Sequence, residues 1–433
     1  MQEISVGIIG FGTVGAGAYE VLTKNADLIE SRVGVPVRVK KIADIDLERD
    51  RGIRVAPGIM TTKAMEIIED KDINVVVELM GGLNQAKDYI LAAMDRGKHV
   101  VTANKALLAE YGREIYTKAE QCGVEIGFEA SVAGGIPILQ AIRSGLCANR
   151  IKGLMAILNG TSNYILTKMT KESLPYSQVV REAVEQGYAE DPPTLDVDGT
   201  DAAHKLAILI SLIHGRAVSF KEIYREGIQE ITPEDIQFAK ELGYCIKLLA
   251  VCRHLDGRVE ARVHPTLVPT DHILANVNDV FNAIYLEGDF VGPNLYYGLG
   301  AGRRPTGSAV AADIMAVGRK IALGTKSATP PLGHVQPPEG DVPLLSIEDL
   351  VSEYYFRVTA LDRPGVLSKI AGVLGNHNIS IASVIQKGRE INGYVPVVMM
   401  THEARESNVQ KAVALLDSLE ELSGKTMVIR VEK

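Results

Sequence analysis

A chain of 433 residues exceeds what one ordinary hydrophobic core supports, so it should divide into several domains, each burying its own apolar interior. Hydrophobic residues at 46%, charged residues at 23% and a formal net charge of -8 without long runs of one sign describe a soluble globular protein, and they exclude a basic nucleic-acid-binding surface. Cys122, Cys147, Cys245 and Cys252 lie far apart, with no CxxC pair and no histidine at ligand spacing, which fits a reducing, cytoplasmic compartment and argues against zinc.

The opening MQEISVGIIGFG carries no basic n-region, apolar h-region or cleavage site, so no export signal is expected. Strand-like runs follow at Ile4 to Ile9, Val35 to Ala43, Val75 to Leu79, His99 to Ala103 and Val124 to Phe128, alternating with amphipathic stretches. That rhythm predicts a parallel α/β sheet of Rossmann type over residues 1–130, completed by a return of the chain near 300–322.

The first run leads directly into Gly10, Phe11, Gly12, Thr13, Val14 and Gly15, and then a helix-like Ala16 to Lys24. After a strand and before a helix, these glycines give a tight turn, close approach of backbone to a pyrophosphate and close helix packing, so a dinucleotide is expected. Asp44 at the end of the second strand offers a carboxylate for an adenosine ribose, whereas Lys40, Lys41, Arg49 and Arg51 would favour a 2′-phosphate, leaving NAD and NADP both open. Gly81 and Gly82 read as a loop that admits a cofactor or as a simple turn. Lys105 follows the fourth strand, where ligands of open α/β sheets bind; a cation opening a helix opposes the dipole, which disfavours a merely structural role.

Residues 131–324 read as an α+β catalytic and dimerisation domain. Glu190, Asp196, Asp198, Asp201 and Lys205 crowd the mouth of an apolar helix. Asp201 and Lys205, four apart, share a face; the plain reading is a solvated ion pair, but Leu206 to Ile213 is so apolar that Lys205 should lie in a partly dry cleft. The run is too short to span a bilayer. Oxidising an alcohol moves a hydride to nicotinamide and a proton from the hydroxyl, so Lys205 is the candidate acid/base, positioned by Asp201, with Glu190 suited to a substrate ammonium.

The motifs GFGTVG, TANK around Lys105, EASVAGGIPI from Glu129, LNGTSNYIL from Leu158, GYAEDPPTLDVDGTDAAHK through Lys205 and GLGAGRRPTGSAV from Gly298 resemble homoserine dehydrogenases. The resemblance implies interconversion of L-homoserine and L-aspartate 4-semialdehyde with NAD or NADP, on the route to threonine and methionine, by a homodimer or homotetramer. It implies Lys205 as proton donor, Lys105 at substrate and cofactor, Glu190, Asp196 and Asp201 on the substrate, and Thr13, Val14, Gly187 and Gly302 on the cofactor. It also implies a sodium ion held by Glu129 and the carbonyls of Val132, Gly134 and Ile136; by itself that stretch reads equally well as a hinge. An ACT-tailed 2-hydroxyacid dehydrogenase and a non-catalytic sensor are the competing readings. The first would use a histidine acid/base, and the second has no need of both lysines.

Ser327 to Gly340, dense in proline and glycine, reads as a linker within 325–350. Strands at Tyr354 to Leu361, Ile379 to Lys387, Val395 to Thr401 and Lys425 to Val431, with helices at Gly365 to Asn376 and Asn408 to Leu422, make a βαββαβ unit over 351–433. The DRPG turn within it resembles an ACT domain, a ferredoxin-like regulatory module. Asp362, Gly365 and Asn378 would then bind an amino-acid effector, L-threonine being the candidate; read only as a cap, the turn would put Pro364 at the first helical position.

Overall fold

The computed structural model describes residues 3–189, 191–325, 330–388 and 393–432. A six-stranded sheet opens the chain: β1 (Ile4–Ile9), β2 (Val37–Ala43), β3 (Met60–Thr61), β4 (Val75–Glu78), β5 (His99–Thr102) and β6 (Ile126–Gly127), in the spatial order β3-β2-β1-β4-β5-β6. Every pairing is parallel. Both faces of β1 and β4 are buried, which explains why these strands read as unbroken apolar runs. The strand order reverses between β1 and β4, which places the ligand crevice at their carboxyl ends.

Helix α1 (Thr13–Lys24) covers one face together with the helix Arg303–Ala322, which returns from far along the chain. The two backbones nearly touch: a Cβ on Gly307 would lie 2.5 Å from the Gly17 carbonyl carbon. The Lys105–Cys122 helix lies on the other face.

The strands in the middle of the chain form one antiparallel array. In spatial order it runs Gly292–Leu299, Phe281–Gly288, Ile151–Ile157, Tyr244–Leu255 and Arg258–Pro269. The Thr200–His214 helix packs on it, buried from Thr200 through Leu212.

The tail forms the expected βαββαβ unit, but its sheet is not separate. Leu422–Val431 pairs in parallel with Arg258–Pro269, so one ten-stranded sheet runs through both domains. Asp235, itself fully buried, joins the helix Pro233–Glu241 to the tail by accepting from Arg357 Nε at 2.6 Å and from the Tyr355 hydroxyl at 3.1 Å. The Pro-rich segment is no loose tether either. Leu332 is buried, and Pro343 and Leu345 exchange backbone hydrogen bonds of 2.8 Å with Val259, adding a bridge to that strand's end.

The helix boundaries in the tail differ from expectation. The helix expected over Asn408 to Leu422 spans Glu406–Leu416, because Leu419 and Leu422 reach the same apolar cluster from a turn that imitates another helical turn. Pro364 does not open the other helix: Gly365, at φ 92°, is the N-cap, and Val366 is the first helical residue.

Candidate active site

The Gly-rich turn has the steric logic of a dinucleotide cradle. Gly10 takes φ 94°, and a Cβ there would lie 2.5 Å from the Met80 nitrogen. Gly12, the N-cap of α1, has open space where a Cβ would be. The first turn of α1, with Thr13, Val14 and Gly15, holds no acidic residue and no side-chain cap, so its N–H groups and positive dipole end are available to an anion. These residues fit a nicotinamide dinucleotide. Gly302, exposed at φ 123°, opens the Arg303–Ala322 helix; Gly187, also exposed, follows the Tyr176–Glu185 helix at φ 73°.

The charged side chains around this turn are already engaged. Asp44 accepts from the Phe11 amide at 2.6 Å and the Asp46 amide at 2.9 Å, and pairs with Arg51 at 2.9 Å. Lys40 is drawn off to Asp70 and Asp72, and Lys41 to Glu66. Arg51 alone of the four cations weighed for a 2′-phosphate reaches the Gly-rich turn, donating to the Phe11 carbonyl at 2.5 Å with its guanidinium 5.5 Å from the Phe11 ring centroid.

Sequence reasoning passed over Glu78, the fully buried last residue of β4. Its carboxylate accepts from Thr102 at 2.7 Å and from the amides of Met80 and Gly81 at 3.0 and 3.3 Å, and burial pushes its pKa up. Asn104 caps the Lys105–Cys122 helix and also donates to the Gly82 carbonyl at 2.8 Å. The Gly81–Gly82 loop is thus pinned from two sides, and Lys105 leaves it toward the catalytic domain.

There, two helices that are distant in sequence bring their N-terminal turns together. Lys205 Nζ donates to Asp201 Oδ2 and to the Leu158 carbonyl, both at 2.6 Å, while Lys105 Nζ stands 2.8 Å from Asp201 Oδ1. Asp201 and Lys205 are 4% and 7% exposed, so the pair is dry rather than solvated; the Lys105 side chain stays 43% exposed, facing the cleft. Burial alone would raise the Asp201 pKa, but the ammonium groups of Lys205 and Lys105 outweigh it and hold the carboxyl well below the usual range. Burial also lowers the Lys205 pKa, with Asp201 pulling the other way. Asp196 lies beside this group, and burial followed by the Asp201 charge raises its carboxyl despite a hydrogen bond from Asn159.

Glu190 lies outside the described residues. Both carboxylate oxygens of Glu129 accept backbone N–H groups, from Leu139 at 2.9 Å and Gln140 at 2.7 Å, and its own amide donates to the half-buried Asp313 carboxylate at 2.8 Å. Val132 and Ile136 are buried beside it, and Gly134 turns at φ 48°. In the tail, Asp362 and Gly365 sit at the strand-to-helix turn, with Asn378 exposed at φ 56° beyond the helix end.

A Gly-rich dinucleotide cradle packed against the Gly81–Gly82 loop, which Asn104 ties to the helix bringing Lys105 to Asp201 and Lys205, marks a nicotinamide-dependent oxidoreductase. Family models described as homoserine dehydrogenase, NAD binding domain, as homoserine dehydrogenase, and as ACT domain match residues 10–129, 137–315 and 354–421. A homoserine dehydrogenase of Pseudomonas aeruginosa is 45% identical over the whole of both chains. The chain belongs to the homoserine dehydrogenase family and carries a C-terminal ACT domain. The crystal structure of a homoserine dehydrogenase from Thiobacillus denitrificans superposes with a TM-score of 0.93 at 43% identity, over 100% of this chain and 99% of that one. A hyperthermophilic archaeal homoserine dehydrogenase in complex with NADPH matches at TM-score 0.62 and 27% identity, over 75% of this chain and 99% of that one. Among the described residues, no helix is long and apolar enough to cross a membrane.

Proposed function

We propose that this chain reduces L-aspartate 4-semialdehyde to L-homoserine, reversibly, using NADPH or NADH. The observation that carries this reading is Asp201 bridging the buried Lys205 and the half-exposed Lys105, whose helix is capped by the Asn104 that ties it to the Gly81–Gly82 loop. The bound nicotinamide supplies the hydride to the aldehyde carbon. Lys205 delivers the proton to the carbonyl oxygen and recovers it in the reverse direction. Lys105, the more open of the two lysines, orients the polar end of the substrate, and Asp196 with Glu190 supplies carboxylates for its ammonium. Purified protein mixed with the semialdehyde should consume reduced nicotinamide absorbance; an inert mixture with both cofactors, in sodium-containing buffer, would refute the reading.

Arg51 neutralises Asp44, which would otherwise repel a 2′-phosphate, so NADPH is the preferred cofactor. Arg51→Ala is expected to weaken NADPH binding by roughly tenfold, the scale of one charge-assisted contact, and NADH binding by much less. Fluorescence titration of both cofactors reads the ratio, and equal losses would remove Arg51 from this role.

Sodium is compatible with the Glu129 region, where the buried Glu129 carboxylate feels the negative charge of the half-buried Asp313 and a cation would balance them. Glu129 with the carbonyls of Val132, Gly134 and Ile136 would hold it, tying the end of the Rossmann sheet to the catalytic domain. Exchange of sodium for choline should then lower thermal stability; an unchanged melting curve argues against the ion.

The assembly is a homodimer built on the edge strand Gly292–Leu299, whose Leu295, Tyr297 and Leu299 are exposed next to Phe290. Sedimentation velocity tests this, and a monomer would exclude it. The ACT domain binds an amino-acid effector, L-threonine, at Asp362, Gly365 and Asn378. Because the sheet is continuous, truncating the tail would strip a strand from the catalytic domain, so the clean test is threonine titration of the intact chain against Asp362→Ala. Identical responses would refute the site.

A further inference from the structure

Asn159 follows the strand Ile151–Ile157, is 5% exposed, and is the N-cap of the helix Gly160–Glu172. Its Oδ1 accepts from the Ser162 amide at 2.7 Å, as a capping asparagine should. That bond fixes which way the amide faces, and its Nδ2 is left pointing at two carboxylates: Asp196 Oδ1 at 2.7 Å and Asp201 Oδ2 at 2.8 Å. The neighbouring Leu158 carbonyl accepts from Lys205 at 2.6 Å and from the Asn282 amide at 2.9 Å. Residues 158 and 159 therefore hold both members of the Lys205–Asp201 pair, one by main chain and one by side chain. Ser162 adds to the clamp by donating to the Asp196 carbonyl at 2.6 Å.

We propose that Asn159 is a positioning residue for the reaction: its amide holds Asp201 in the rotamer that spans Lys105 and Lys205, and keeps Asp196 from displacing it. This rests on the acid/base reading of Lys205 given above. Two carboxylates sharing one donor would otherwise repel each other across a dry site. With the amide between them, Asp201 offers Oδ2 to Lys205 and Oδ1 to Lys105. The titratable groups facing Asp201 among the described residues are Lys105, Lys205, His204 and Asp196, and the Asn159 side-chain amide donates to it between Lys205 and Asp196.

The capping role makes the two functions separable. Serine and aspartate cap as well as asparagine does, so N159S and N159D both preserve the start of the helix. Serine is too short to span both carboxylates, and aspartate replaces the donor with a third acceptor. N159S is expected to lose on the order of tenfold in kcat, the rate equivalent of one charge-assisted hydrogen bond, with the cofactor Kd little changed.

The fall of kcat with pH in aldehyde reduction should move to higher pH in N159S and further in N159D, because losing the donor that shares the Asp201 charge and then adding a negative charge both favour the protonated Lys205 that Asp201 faces. A wild-type limb in both variants overturns the proposal, as does a loss of kcat and melting temperature together without a shift of that limb. Should N159S fold poorly, the limb of N159D alone decides. Lys205→Ala separates the two levels: if it keeps full turnover, the reading of the site fails. If it is inactive while the Asn159 variants behave as wild type, only this inference fails.

Discussion

Replacing Lys205 with alanine should cut turnover by roughly 10²- to 10⁴-fold, the contribution of a positioned general acid, while dissociation constants for NADPH and NADH stay near wild type. The cofactor turn at Gly10 to Gly15 lies on β1 and α1, whereas Lys205 is held by Asp201 and Leu158 in the catalytic domain, so its loss removes the proton but not the cradle. The pH dependence follows from the environment of the amine. Burial lowers the Lys205 pKa below that of an ordinary lysine, against the opposing pull of Asp201. In aldehyde reduction the working form is protonated, so kcat should fall as pH rises through that lowered pKa. In alcohol oxidation the working form is neutral, so the same group should make the rate rise with pH. Opposite limbs in the two directions, both lost in Lys205→Ala, would be the signature. Limbs of the same sign, or their persistence in the variant, would assign the titration to another group.

How far this site could be read from the chain depends on which contacts are local. The turn at Gly10 to Gly15 is a matter of covalent spacing between a strand and a helix, and the Asp201–Lys205 contact is one turn of a helix, so both were visible as pattern. The dryness of Lys205 followed from the apolar run after it. The meeting of Lys105 with Asp201 was not visible as pattern, because it depends on how two helices 95 residues apart pack. Asn159 and Glu78 were missed for a related reason: an asparagine ahead of a helix reads as a cap and a glutamate at a strand end as a surface charge, and only the tertiary fold turns Asn159 toward two carboxylates and buries Glu78. Asp44 reads as a ribose ligand by position, yet a neighbouring arginine and two amides engage it. The continuous sheet escaped notice altogether, since pairing between Arg258–Pro269 and Leu422–Val431 is fixed by register across more than a hundred residues.

That continuity sets up the second large effect, at Arg430. Its guanidinium is buried at the last turn of pairing between the tail and the catalytic domain, donating to Glu406 at 2.8 Å on the tail side and to Glu226 at 2.8 Å on the catalytic side, with the Tyr224 hydroxyl at 3.2 Å. Glu406 is 2% exposed and also accepts from Tyr354 at 2.8 Å. Arg430→Met would leave that carboxylate buried without its cation, which should destabilise the chain by about 3–5 kcal/mol, whereas adding Glu406→Gln should recover part of the loss because the stranded charge is gone. Thermal melts of the single and double variants test this; equal destabilisation by both would show that packing, not charge, is at stake.

The consequence extends to the reaction. Glu226 donates its amide to Val263 at 2.8 Å, Ile228 donates to the Val197 carbonyl at 2.9 Å, and Val197 lies next to Asp196, four residues ahead of Asp201. Freeing Glu226 from Arg430 loosens the segment that braces the mouth of the catalytic helix, so Arg430→Met should raise KM for the semialdehyde at temperatures well below its melting point. Because the same guanidinium ties the ACT domain to this brace, the variant should also lose any response of turnover to added L-threonine, while any affinity of the chain for threonine persists. Retained inhibition with an unchanged KM would show that the buried link carries stability alone.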